Sequence, residues 1–164
     1  MSVIGRFAAA TDEEVASMVR DPQRIIAFLY DEGGASEPER RLDIDKSWHG
    51  MHFLLTGEVW TGTMPLGFLI AGGVTIGDIN VGYGPARAFT SGDVRDIDAA
   101  LRPISRADLM ARWDVERIRA ADLYAVDADD VETEDSYVGV YFEQVKHFVS
   151  ELVRDGLGML VYMT

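Results

Sequence analysis

The groups best suited to chemistry in this chain are concentrated in residues 42–53, which read Leu-Asp-Ile-Asp-Lys-Ser-Trp-His-Gly-Met-His-Phe. Helical spacing from Asp45 onward places Asp45, His49 and His52 within about 60° of one another on one face, since each residue turns by about 100°. A carboxylate one helical turn before an imidazole can orient the ring and raise its basicity, as a general base requires. The spacing therefore predicts His52 or His49 as a candidate catalytic base, with Asp45 as its orienting group.

The same three side chains permit two other interpretations. Two imidazoles three residues apart can chelate a metal ion with Asp45 as a third ligand. However, the His-Glu-x-x-His order of zinc-protease helices is missing, and His147 belongs to another predicted helix, so we predict no metal site. Asp45 is also well placed as a helix N-cap, and histidines on a packed helix commonly bind backbone groups in the core. Catalytic, ligand-binding and structural roles all stay open.

A second candidate site is the segment Gly82-Tyr83-Gly84-Pro85-Ala86-Arg87. Its glycines allow a ligand to approach the backbone closely, and Arg87 could hold a carboxylate or phosphate through a bidentate pair of hydrogen bonds. The segment lacks the third glycine of a dinucleotide-binding turn and the Gly-Lys-Ser/Thr of a phosphate-binding loop. A tight turn leading into a strand explains it equally well.

Composition limits the classes of partner and reaction. The formal net charge is −13, from 28 acidic and 15 basic residues, which argues against nucleic acids and anionic membranes as partners. The chain has no cysteine, so it has no disulfide and no thiolate nucleophile, and a reducing cytoplasm is its expected location. Its N-terminus lacks the pattern of a secretion signal, and its longest apolar run, residues 64–74, is shorter than the ~20 residues of a membrane span.

The elements that position these residues follow from hydrophobic periodicity and capping signals. An apolar content of 48% in 164 residues predicts one domain, residues 1–164. Strands are predicted at Val3–Ala10, at Pro85–Thr90 and at Met159–Met163. Helices are predicted from Thr11 to Arg20, from Asp21 to the glycines at 33 and 34, from Asp45 to Gly57, from Pro65 to Ile70, after the caps Ser91, Ser105 and Asp114, and from Glu134 to Arg154. Both ends of the chain are apolar strands, which we expect to be neighbours in one small sheet packed by helices.

The chain resembles the YfbM-like family of uncharacterised bacterial proteins. The resemblance rests on the pattern Asp-x-Asp-Lys-x-Trp-x-x-x-His-Phe-x-Leu-Thr-Gly at residues 43–57, and it extends through Ile4-Gly5-Arg6-Phe7, Pro65-Leu66-Gly67, the segment 82–87 and Leu160-Val161-Tyr162. It implies an α/β fold, a helix-rich three-layer sandwich with a small mixed sheet. It implies no reaction. The residues of the pattern are Asp43, Asp45, Lys46, Trp48, His52, Phe53 and Gly57.

We predict from these observations a small cytoplasmic binding protein that recognises a protein or a small polar ligand, without a cofactor. The binding cleft is expected between residues 43–52 and residues 83–87. The alternative is a metal-independent hydrolase or isomerase that uses a His–Asp pair, with Arg87 or Lys46 holding an anion. The predicted ligand-binding residues are Asp43, Asp45, Lys46, Trp48, His49, His52, Tyr83 and Arg87.

Overall fold

The computed structural model describes residues 1–30 and 40–164, with the backbone alone over residues 132–136. Within these residues it contains one five-stranded sheet with the order β2-β1-β5-β4-β3, and every neighbouring pair is antiparallel. The strands are β1 (Gly5–Ala10), β2 (Arg41–Asp43), β3 (Val74–Thr75), β4 (Arg87–Phe89) and β5 (Gly158–Met163).

The sheet is thus antiparallel throughout rather than mixed, which corrects that part of the expectation. The reason is the long last helix, which returns the chain to the end of the sheet at which β1 finishes. Strand β5 consequently starts beside Ala10, with Ala10 opposite Gly158, and runs back toward Gly5, which lies opposite Met163. The prediction that the two terminal strands are neighbours is confirmed.

Helices cover both faces of the sheet, so the α/β, helix-rich, three-layer prediction is confirmed. Successive residues of β1 alternate between two separate cores: Phe7 and Ala9 face one, and Ala8 and Ala10 face the other. The helices are α1 (Asp12–Arg20), α2 (Arg24–Tyr30), α3 (Trp48–Thr56), α4 (Ser91–Leu101), α5 (Arg106–Met110), α6 (Val115–Ala121) and α7 (Val131–Arg154), with short 3-10 helices at Asp45–Ser47 and Leu66–Leu69. The first core is packed by α3, α4, α5 and α7, and the second by α1 and α2.

The helix starts were predicted to within a few residues. The capping boxes at Thr11 and Ser105 and the Asp114 cap are present, whereas α4 is capped by Thr90, one residue before the predicted Ser91. Helix α2 begins at Arg24 rather than directly after Asp21. The predicted end of this helix at the glycines 33 and 34 lies outside the described residues. No helix in the described part of the chain is both long enough and apolar enough to cross a membrane.

Candidate functional site

A pocket of about 370 Å³ lies where β1 begins and β5 ends. This volume falls within the range of small-molecule sites, roughly 300–1,000 Å³. Its walls combine aromatic and aliphatic side chains with a single cation. The side chains that define its chemistry are Trp48, Trp60, Tyr83, Tyr124, Ile70 and Arg87.

One wall of the pocket is a row of packed aromatic rings. The ring of Trp48 stacks on that of Tyr124, with centroids 5.6 Å apart, and on that of His49, with centroids 4.8 Å apart. Trp60 packs against the His49 ring at a tilt of 40°, with centroids 4.3 Å apart. The backbone of Val3 fixes two members, because its carbonyl accepts from Trp48 Nε1 at 3.0 Å and its N–H donates to the Tyr124 hydroxyl at 2.8 Å. These two bonds hold Trp48 and Tyr124 in place relative to β1.

His49 is a fully buried residue that holds two loops together from behind this wall. Its Nδ1 accepts from the backbone N–H of Tyr124 at 2.9 Å, which requires the proton to sit on Nε2. Nε2 then donates to the Val59 carbonyl at 2.9 Å. Burial lowers the pKa of His49, so the ring is neutral at physiological pH. With both nitrogens occupied, His49 has no lone pair for a metal ion and no proton to exchange with a ligand.

His52 repeats this arrangement one turn further along α3. It is fully buried, and its Nε2 donates to the Thr61 carbonyl at 2.8 Å. Burial lowers the pKa of His52 as well, and within the described structure its Nδ1 has no hydrogen-bond partner. The two histidines thus bind the carbonyls on either side of Trp60 and hold residues 57–62, the Trp60 loop, against α3.

Arg87 is the cation of the pocket and extends from β4. Its Nη1 donates to the carbonyls of Phe68, at 2.9 Å, and Ala71, and its Nη2 donates to the Leu69 carbonyl at 2.6 Å. Burial lowers the pKa of Arg87 to about 10, so the guanidinium stays charged at neutral pH. Among the described residues no carboxylate forms an ion pair with it. It is a partly buried positive charge, offset by carbonyl dipoles and by the face of the Phe89 ring, whose centroid lies 5.5 Å from Cζ.

Asp43, Asp45 and Lys46 lie outside the pocket, in a polar cluster between β2 and α7. Asp43 pairs with Arg6 at 3.2 Å, and its Oδ1 accepts from the Asp45 N–H at 2.8 Å. The Tyr137 hydroxyl donates to Asp45 Oδ2 at 2.7 Å and accepts from the Lys46 N–H at 3.0 Å. This cluster fastens the start of the 3-10 helix to α7.

The predicted pairing of Asp45 with a histidine does not form. Asp45 has a φ of +47° and is the first residue of a 3-10 helix, so the α-helical spacing that the prediction assumed begins only at Trp48. Asp45 caps neither helix, because no side-chain cap bond is made at Ile44 or Ser47, the residues in the cap positions. The described residues likewise contain no group of three or more His, Cys, Asp or Glu side chains arranged around a possible metal ion.

Comparison with protein families finds a match over nearly the whole chain. The model of the family Domain of unknown function (DUF1877) matches residues 1–162. The chain belongs to this family. The crystal structure of a protein of unknown function, YfbM from Escherichia coli, superimposes with a TM-score of 0.75 at 22% sequence identity, over 98% of this chain and 99% of that one. This likeness establishes a shared fold and confirms the resemblance drawn from the sequence. Comparison with curated proteins found no match.

For this DUF1877 protein, the predicted site residues fall into three places. Trp48, Tyr83 and Arg87 line the pocket, the two predicted histidines lie behind its wall, and the remaining three form the polar cluster. Two further residues that line the pocket, Trp60 and Tyr124, were not predicted from the sequence. A tryptophan in a polar loop, with glycines at 57 and 62, was a usable signal for Trp60. Tyr124 carried none, because its place in the stack depends on packing against a helix 75 residues earlier.

Proposed function

We propose that this protein binds a small, flat organic molecule in the aromatic pocket. The observation that carries the proposal is the exposure of two aromatic side chains at the rim, Trp60 at 62% and Tyr83 at 42%. Burying an aromatic side chain stabilises a protein by roughly 1.5–3 kcal/mol, so folding alone favours burying them. Their exposure beside a concave pocket is explained by a ligand that covers them.

The rim residues are held in position by the backbone around them. The Val59 and Thr61 carbonyls, on either side of Trp60, are bound by buried histidines. On the opposite side, the N–H of Tyr83 donates to the Met163 carbonyl at 2.9 Å. A preformed pocket loses little conformational entropy on binding, which favours affinity for a rigid ligand.

Binding is favoured over the hydrolase or isomerase alternative. That alternative depends on an Asp–His pair beside a substrate, whereas His52 donates to a backbone carbonyl and Asp45 accepts from Tyr137. A general base must be within hydrogen-bond reach of the proton it removes. Neither imidazole lines the pocket, so neither is placed to act on a ligand there.

A small molecule is favoured over a protein partner. The acidity that motivated a basic partner is a property of the whole surface, whereas the pocket is a defined cavity with few polar groups, as in small-molecule sites. A cytoplasmic location remains part of the proposal, on the strength of the missing cysteines.

The experiment uses the chain's three tryptophans as reporters. Indole and indole-3-acetate are titrated into ¹⁵N-labelled protein, and the Nε1–H resonances are assigned by single Trp→Phe variants. Trp48 and Trp60 line the pocket, whereas Trp113 does not and serves as the internal control. We expect the Trp48 and Trp60 resonances to move together at submillimolar probe concentration. If neither probe moves them at 5 mM, or if Trp113 moves equally, the proposal is wrong.

A further inference from the structure

We propose that the pocket selects a ligand that carries a negative charge on its flat body, in the simplest case an aromatic carboxylate that binds Arg87. This rests on the proposed function and specifies the class of ligand. Arg87 is the only charged side chain among the described residues that line the pocket. The chain as a whole has a formal charge of −13, so a pocket with one cation and no acid departs from the rest of the protein.

The carbonyl groups around Arg87 satisfy donors but do not neutralise its charge. Its Nη1 and Nη2 donate to four carbonyls, two at the end of the 3-10 helix Leu66–Leu69 and two in the residues just after it, Ala71 and Gly72. A neutral donor could serve these carbonyls without the cost of desolvating a charge. A guanidinium in this place is better explained by an anion that completes the ion pair.

Arg87 also keeps donors for a ligand. Four bonds to carbonyls start from Nη1 and Nη2, three from the former and one from the latter. Within the described structure, Nε–H and one N–H of Nη2 form no hydrogen bond to the protein. Nε and Nη2 share one edge of the planar guanidinium, and such an edge can bind a carboxylate in a bidentate manner.

The charge also decides between an anion and a cation. Rings such as Trp48, Trp60 and Tyr124 attract ammonium groups through their faces. Repulsion between two like charges about 4 Å apart is several times stronger than this attraction at the effective dielectric constant of a partly buried site. The aromatic walls therefore serve the flat body of the ligand, and Arg87 serves its charged group.

The test compares three probes of the same ring system: indole-3-acetate, indole-3-ethanol and tryptamine, which carry negative, neutral and positive charge. Affinities are read from the Trp48 and Trp60 resonances. We expect indole-3-acetate to bind at least about tenfold more tightly than indole-3-ethanol, and tryptamine to bind most weakly. Equal affinities, or a preference for tryptamine, would overturn the charge selection while leaving a flat-ligand pocket. Absence of binding by all three overturns the proposed function and this inference together.

A second measurement locates the contact on Arg87 in the wild-type protein, and the variant Arg87→Lys then tests it independently. The Nε–H resonance of Arg87 should move with indole-3-acetate and stay in place with indole-3-ethanol. In Arg87→Lys, which keeps the charge but loses the fork, we expect the preference for the carboxylate to fall about threefold to tenfold. An Nε–H resonance that does not respond to a bound carboxylate would contradict the assignment.

Discussion

The backbone N–H of Tyr124 donates to Nδ1 of His49 at 2.9 Å, across 75 residues of chain. This bond fixes the tautomer of the imidazole, so that Nε2 donates to the Val59 carbonyl beside Trp60. One neutral ring thereby connects both ends of the aromatic wall. His49, one of the two histidines that the sequence offered as a catalytic base, is thereby placed to hold the aromatic wall in position.

Replacing His49 with Phe should destabilise the protein by up to about 2–6 kcal/mol. An aromatic ring is kept, but a part-buried N–H and a part-buried carbonyl each lose their partner, at up to about 1–3 kcal/mol apiece. The matched control is His147→Ala, since His147 is 77% exposed on α7 and should change stability by less than about 0.5 kcal/mol. Urea unfolding measures both. If His49→Phe and the wild type were equally stable, the hydrogen bonds by which His49 joins the two loops would not contribute to stability, contrary to this prediction.

Acid should weaken the fold through the same histidines. Burial lowers the pKa of His49 and His52 below the ordinary value of 6.5, so the unfolded chain takes up protons that the folded chain does not. This contribution to stability is complete above about pH 6.5 and is lost as the pH falls toward the folded-state values. The loss reaches at most about 1.4 kcal/mol per histidine between pH 7.5 and pH 5.5. Urea unfolding at the two pH values measures it.

A direct check follows the two imidazoles by NMR. Their Cε1–H resonances should not titrate with a midpoint at or above pH 6.5 in the folded protein, because protonation would break the acceptor role of His49 Nδ1. A midpoint at or above this value for either ring would show that the ring accepts a proton in the folded protein as readily as in the unfolded chain, which would contradict a neutral, buried imidazole.

The framework of the fold was predictable because it depends on local patterns. The apolar runs of β1 and β5 and the capping boxes at Thr11 and Ser105 carry their own signals within a few residues. The two-residue strand β3 carries no such signal, since two residues do not show an alternation. Hydrophobic periodicity could not predict the direction of β5 either, because that direction depends on the end of the sheet to which α7 returns the chain.

The pocket was predictable only in part, for a related reason. Tyr83 and Arg87 could be predicted because the glycines of segment 82–87 indicate that a ligand can approach the backbone closely, and the arginine indicates that an anion can bind there. The arrangement of Asp45 could not be foreseen. An aspartate with a φ of +47° is uncommon, and it is supported here by Tyr137 from a helix 92 residues later. Long-range hydrogen bonds decided which polar groups reached the pocket.

Gly82 controls the position of Tyr83, and substituting it should disturb the rim. Its φ is +152°, and a Cβ there would lie 2.6 Å from the Met163 carbonyl oxygen. Gly84 also has a positive φ, +89°, but a Cβ there meets nothing within 4 Å, so Gly84→Ala is the matched control for backbone strain. We expect Gly82→Ala to cost about 1–3 kcal/mol more than Gly84→Ala in urea unfolding. Equal costs would mean that the contact with Met163 is unimportant.

The polar cluster and the pocket should respond separately to substitution. Tyr137→Phe removes a hydroxyl that donates to Asp45 and accepts from the Lys46 N–H, so we expect a loss of about 1–2 kcal/mol in stability. The affinity for indole-3-acetate should stay within about twofold of the wild-type value, because Tyr137, Asp45 and Lys46 do not line the pocket. Tyr83→Leu should show the opposite pattern. The exposed ring contributes little to folding, whereas its loss removes one rim of the pocket and should weaken binding about tenfold.

Paired measurements of unfolding and of probe affinity on the two variants distinguish the sites. If Tyr137→Phe stayed folded but lost the probe, the cluster of Asp43, Asp45 and Lys46 would belong to the binding site after all, as the sequence pattern suggested. If Tyr83→Leu kept full affinity, the rim would be no part of the site. The expected pattern follows from the hydrogen bonds. Those of Tyr137 hold the 3-10 helix to α7, whereas the backbone bond from Tyr83 to Met163 holds an exposed ring over the cavity.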